Sequence, residues 1–168
     1  GVSATATTTV KLQVESPAGA MQGTGKVVSM NIFGKNTSAQ SITAQIGIGA
    51  SKATSDLTDL RDQFNAYSAT TGISAQLSAD KSSLMLVQDE GLDIVIDGVD
   101  FAGVANVNTT KFTATSFDQA QATAGSAIDI HDSAYTTAAT DSFRASGIVT
   151  FHSSQSFSIV PANANGGV

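Results

Sequence analysis

The chain has 168 residues and a formal net charge of −6, and only 13% of its residues are charged, about half the ~25% usual in globular proteins. Twenty Thr, 21 Ser and 25 Ala take their place. The acidic balance disfavours nucleic acid or an anionic membrane as the main partner, since either needs a basic patch. A hydrophobic share of 41% is too high for a disordered chain of such low charge, and no apolar run approaches the length of a bilayer-spanning helix.

In chain order, 7–15 (TTTVKLQVE) alternates Val10, Leu12 and Val14 against Lys11, Gln13 and Glu15, the period of a half-buried strand. A breaker cluster over 16–25, with Pro17, Gly19, Gly23 and Gly25, predicts a loop. The stretch 26–33 alternates Val28, Met30 and Ile32, and 41–48 alternates Ile42, Ala44, Ile46 and Ile48. The period then changes: Leu57, Leu60, Phe64 and Tyr67 fall on one stripe of a helix over 55–68. Thr54 or Ser55 is the expected N-cap, Asp56 and Asp59 occupy the first turn where the helix dipole favours negative charge, and Gly72 stops the helix. Strands resume at 73–78 and 84–87, with a turn at Ala79–Ser82, and again at 93–96, closed by Asp97 and Gly98. Shorter alternations follow at 111–116 and 127–130, a loop at 133–142, and a hairpin of 147–152 and 156–160 around Ser153-Ser154-Gln155. The tail 161–168 has the composition of a frayed end or linker.

Chemistry-bearing motifs are scarce. With no Cys, zinc ribbons, Fe–S clusters, thiol catalysis and disulfides are excluded. The chain opens at Gly1 without Met or a signal-like segment, which reads as a fragment or processed chain. Neither His131 nor His152 lies in an HExxH pattern, and His131-Asp132 reads as a solvated loop pair. The glycines of 19–26 miss the P-loop, with Ala20 where its first glycine belongs and Val27 after Lys26, and Gly47 and Gly49 lack the third glycine of a dinucleotide fingerprint. The acidic clusters Asp89/Glu90/Asp93 and Asp97/Asp100 lack the twelve-residue alternation of a calcium loop. No G-x-S-x-G elbow occurs. The expectation is therefore no enzyme, no cofactor and no metal. Asn36-Thr37-Ser38 and Asn108-Thr109-Thr110 match the N-glycosylation triplet, which a Ser/Thr-rich chain produces by chance; O-linked sugar is the more natural modification.

The segment LRDQFNAYSATTGISA from Leu60 to Ala75, followed by Leu84-Met85-Leu86 and Gly91-Leu92-Asp93-Ile94, resembles the repeated helix–strand motif of bacterial flagellins and hook-associated proteins. The residues carrying the resemblance are Leu60, Phe64, Asn65, Thr71, Gly72, Ile73, Ala75, Leu84, Leu86, Gly91, Asp93 and Ile94. The pair 147–152 and 156–159 loosely resembles a Ser-rich strand pair of flagellin variable regions. Residues 99–146 are unmatched, and so are the terminal coiled-coil segments that build the filament core. The resemblance implies a structural role: the outer, surface-exposed domain of a flagellin, extracellular on the bacterial flagellum, serving motility and presenting an antigenic face open to glycosylation. Its partners would be other flagellin subunits, met through segments outside this chain, leaving the chain alone a monomer. The outer domain of a filament cap or hook-associated protein is the nearest alternative, and a secreted carbohydrate- or surface-binding adhesin module is one of another class. Two Tyr and no Trp weaken a sugar-stacking platform.

The expected fold is α+β, mainly antiparallel β with one helix over 55–68. That helix should pack on a single sheet of 26–33, 41–48, 73–78, 84–87 and 93–96, in a subdomain of 25–98. Residues 1–24 plus 99–160 should form a second β-rich subdomain. The expected core is Val28, Met30, Ile32, Ile42, Ile46, Leu57, Leu60, Phe64, Ile73, Leu84, Leu86, Ile94 and Ile96. If the piece is inserted into another domain, its two ends should lie close together.

Overall fold

A computed structural model describes residues 1–15, 26–46, 56–103, 110–117, 125–134, 140–156 and 158. The loop expected at 16–25, the caps Thr54 and Ser55, Ile48, and the tail 161–168 lie outside the described residues.

Among the described residues the chain is mostly antiparallel β, with one helix longer than two turns. Its strands are β1 (Val2–Glu15), β2 (Val27–Phe33), β3 (Gln40–Gln45), β4 (Ile73–Leu77), β5 (Ser83–Gln88), β6 (Ile94–Ala102), β7 (Lys111–Phe117), β8 (Ile128–His131), β9 (Phe143–Ala145) and β10 (Ile148–Ser153). Helix α1 (Thr58–Ala66) and a single helical turn α2 (Ser68–Thr71) lie between β3 and β4. One sheet has the order β4-β5-β1-β7-β8, with β10 added along β1; the other has the order β3-β2-β6-β9.

This pairing corrects two expectations. The strands 26–33, 41–48, 73–78, 84–87 and 93–96 do not form one sheet: β4 and β5 belong to the first sheet, and β2, β3 and β6 to the second. Nor do strands pair along a boundary between 25–98 and the remainder, because β1 lies between β5 and β7, and β6 between β2 and β9. Alternation identifies a strand and the face it buries, but it does not name its neighbour. Both inner faces feed one hydrophobic cluster. All of the expected core residues are in it, joined by Val10, Leu12 and Val14 of β1, Val99 and Phe101 of β6, and Phe112 of β7. The rings of Phe101 and Phe112 meet at 5.2 Å between centroids with a 35° tilt, tying a strand of one sheet to a strand of the other.

Strand β6 does not end at Asp97-Gly98. Ile94 and Ile96 face inward at even positions, and Val99 and Phe101 at odd ones, so the phase slips by one residue between them. Gly98 has φ +61° at the point where the β2–β6 register shifts between Ser29 and Asn31. Asp-Gly serves here as a glycine bulge, which needs the same positive φ as a turn.

The first strand also starts earlier than expected. Its half Val2–Thr7 pairs with β10, from Val2 opposite Ser153 to Thr7 opposite Ile148, so β10 is bound to β1. The second strand expected of the 156–160 hairpin falls largely outside the described residues. On this ribbon, Val2, Ala4 and Ala6 share a face with Ser153, Phe151 and Val149, and the opposite face carries Ser3, Thr5 and Thr7.

Candidate functional site

The residues expected to form the helix–strand motif run from α1 through β4 and β5 to the start of β6. Leu57, Leu60 and Phe64 are fully buried, each contributing roughly 1.5–3 kcal/mol by leaving water. Tyr67, the expected fourth member of the stripe, is 36% exposed because α1 ends at Ala66. The helix starts at Thr58 rather than Ser55, and no side chain caps it from Leu57. Asp56 does that work one residue earlier, accepting from Thr58 N at 3.0 Å and from the Thr58 hydroxyl at 2.5 Å. Burial opposes ionisation of Asp56, but the Thr58 bonds and the Lys81 ammonium outweigh it and hold the carboxyl below its ordinary range.

Two side chains of α1 seal two open sheet edges. Strand β4 ends its sheet, and Ala75 turns its backbone groups away from β5. Asn65 takes both of them: its Nδ2 donates to Ala75 O at 2.9 Å, and its Oδ1 accepts from Ala75 N at 2.8 Å. The amide thus acts as one residue of a missing neighbour strand. On the other sheet β3 is the end strand, and Asp59 Oδ2 accepts Gln45 N at 2.6 Å. Unpaired edge groups invite pairing with another chain, and here the helix that also fills the core occupies the outward groups of Ala75 on one edge and Gln45 N on the other.

The rest of the motif fixes the approach to β4 and the exit from β5. Thr71 is buried, its hydroxyl donates to Tyr67 O at 3.0 Å and accepts Ile73 N at 3.2 Å, and Gly72 takes φ +72°. Ile73, Leu84, Leu86 and Ile94 are buried. Gly91 has φ +71°, and a Cβ there would overlap Ala6 of the ribbon. A Cβ at Gly147, just before β10, would strike the carbonyl of Gly91, so three backbones meet where ribbon joins body. Asp93 pairs with Arg144, whose Nε donates at 2.7 Å. The structure brings all the motif residues into one framework, and each has a structural task.

Several supports were not legible beforehand. Gln88 is fully buried, and its Oε1 accepts from Glu90 N at 3.0 Å and Leu92 N at 2.8 Å, shaping the turn that ends at Gly91. Its only advance signal is a glutamine placed directly before Asp-Glu-Gly. Asp132 is 4% exposed, not a solvated loop residue: it accepts Phe101 N at 2.7 Å and Ala134 N at 2.7 Å. Asn36 accepts Gly34 N at 2.8 Å and donates to Ile32 O and Ser38 O at 3.0 and 2.7 Å, so its amide holds a turn; Asn108 lies outside the described residues. Among the described residues, no three His, Asp or Glu side chains gather as a metal site would need, and no helix is long and apolar enough to cross a membrane.

Two surface groups are electrostatically distinct. Hydrogen bonds from the Ser78 and Ser82 hydroxyls and from Ser82 N hold Asp80 down at about 2. The hydrogen bond to Asp129 raises Lys111, burial opposes it, and Glu15 adds attraction, so one ammonium ties β1, β7 and β8.

Comparison with known protein families and with curated proteins finds no match to this chain.

Proposed function

We propose that this chain is the outer domain of a bacterial flagellin subunit, a non-catalytic, extracellular module displayed on the flagellar filament and monomeric when isolated. The observation that carries the reading is the ribbon. Val2 and Ser153 are direct cross-strand partners, so the chain enters and leaves the body on adjacent strands, roughly 5 Å apart at their Cα atoms. A module displayed on a polymer needs that geometry, because both of its connections return to one subunit. The helix–strand motif supports the same reading: Asn65, Gly72 and Gly91 serve architecture, and none of them is placed for chemistry.

The test is immunogold labelling, with antibodies raised against this chain, of cells that make it. Label along the whole filament is the expected result. Label confined to the distal tip would assign the chain to the filament cap, and label on the cell body alone would overturn the reading in favour of an adhesin. The adjoining reading frame gives an independent check, since Ala/Leu/Gln-rich heptad segments on both sides are expected.

A further inference from the structure

Two adjacent residues of β6 bring an untethered carboxylate against an unhindered stretch of backbone. Asp97 is exposed. Asp80 is held by Ser78 and Ser82, Asp93 by Arg144, Asp129 by Lys111, and Asp132 by two backbone N–H groups. The Asp97 carboxylate has no such partner among the described residues. The residue after it is Gly98, and Asp-Gly occurs once in the chain. Gly98 holds φ +61° and has no register partner on β2, where pairing jumps from Asn31–Asp97 to Ser29–Asp100. The extra residue of a bulge stands outside the regular ladder. A Cβ built on Gly98 would meet only Asn31 Nδ2, at 3.7 Å, so there is open space beside this peptide bond.

That juxtaposition sets up a ring closure. The Gly98 nitrogen and the Asp97 carboxyl belong to neighbouring residues, so attack of the nitrogen on Asp97 Cγ is intramolecular and closes a five-membered ring. A side chain on the following residue crowds such an attack; glycine has none, and it tolerates the backbone angles that the ring imposes. The N–Cγ bond forms, the carboxyl hydroxyl leaves with the amide proton as water, and the product is a cyclic imide. Water then adds to either imide carbonyl. Opening at Cγ restores Asp. Opening at the backbone carbonyl routes the chain through Cγ and gives isoaspartate, with one extra methylene in the main chain.

We propose that Asp97 is a modification site, converting spontaneously to isoaspartate through Gly98 in the folded chain. The added methylene falls just before Val99 and Phe101, the two inward residues that follow the bulge. Val99 N donates to Asp141 O at 3.1 Å and Phe101 N to Asp132 at 2.7 Å, and the Phe101 ring meets Phe112 across the two sheets. Conversion therefore disturbs the seam between the sheets. This goes beyond the filament reading and does not depend on it, since the test uses the chain alone.

The experiment incubates the folded chain for weeks in mildly acidic buffer, beside the same chain unfolded in urea. Isoaspartate is mapped by peptide mass spectrometry and counted by enzymatic methylation of the isoaspartyl carboxylate. Accumulation at Asp97 above every other Asp is expected, at a rate within about tenfold of the unfolded chain. The converted chain should show faster amide exchange at Val99 and Phe101, which fixes the methylene at the bulge. Asp97→Glu, whose ring would be larger, should reduce methylation of the folded chain to background, and Asp100→Glu, equally exposed on the same strand, should leave it unchanged. A folded rate more than about tenfold below the unfolded one, equal isoaspartate at Asp100, or undiminished methylation of Asp97→Glu would overturn the proposal.

Discussion

Replacing Asn65 by Ala tests whether α1 works as an edge seal or only as a core filler. The substitution deletes two hydrogen bonds, of 2.9 and 2.8 Å, to the backbone of Ala75, and touches none of the buried stripe. Each such bond is worth about 0.5–1.5 kcal/mol net, so the pair supplies roughly 1–3 kcal/mol. Two effects reduce that sum: Asn65 is exposed, so water recovers part of the lost bonding, and Ala improves helix propensity by up to ~0.7 kcal/mol. The expected loss is about 1–2 kcal/mol, or roughly 2–8 °C in Tm for a domain of this size. Urea unfolding should show a lower midpoint at unchanged slope, and the Ala75 amide should exchange faster while the β1 amides keep their protection. Asn65→Asp separates geometry from mere polarity. It retains an acceptor for Ala75 N but sets a carboxylate oxygen against Ala75 O, so it should cost at least as much as Ala. A loss below ~0.3 kcal/mol with unchanged Ala75 exchange, or an Asp variant as stable as the parent, would refute the seal.

Gly91→Ala should cost more than ~2 kcal/mol, because it combines a positive φ with overlap on Ala6; thermal unfolding measures the loss, and loosening of the ribbon should appear as faster exchange along Val2–Thr7. Asp132→Ala strands the N–H groups of Phe101 and Ala134, one of them in the core, and should destabilise by about 2–3 kcal/mol in urea titration. Asp80 has a folded-state pKa depressed to about 2 from 3.8, so its contribution is present above the unfolded value and is lost as pH falls through the folded one. Acid unfolding of Asp80→Asn should therefore differ from the parent most at neutral pH and converge with it between about pH 4 and pH 2; a difference constant across that window would contradict the bonding at Ser78 and Ser82.

What the sequence by itself determined are features set within a few residues. Alternation placed Val28, Met30 and Ile32 on one face of β2, and helical spacing buried Leu57, Leu60 and Phe64, because side-chain direction follows the local backbone period. Gly72 was readable as a helix stop for the same reason, since only a residue tolerant of positive φ fits there. Tertiary structure decided which strands became neighbours. Pairing of β1 with β5, β7 and β10 joins residues up to the far end of the chain, and two strands with equally good alternation are interchangeable until a whole core is packed. The same holds for the groups that close gaps: Asp59 reaching Gln45, Asn65 reaching Ala75, and Asp132 reaching Phe101. Their polar types were visible in the sequence, but a hydrogen bond is defined by its surroundings, and those surroundings exist only once the two sheets and the helix have come together.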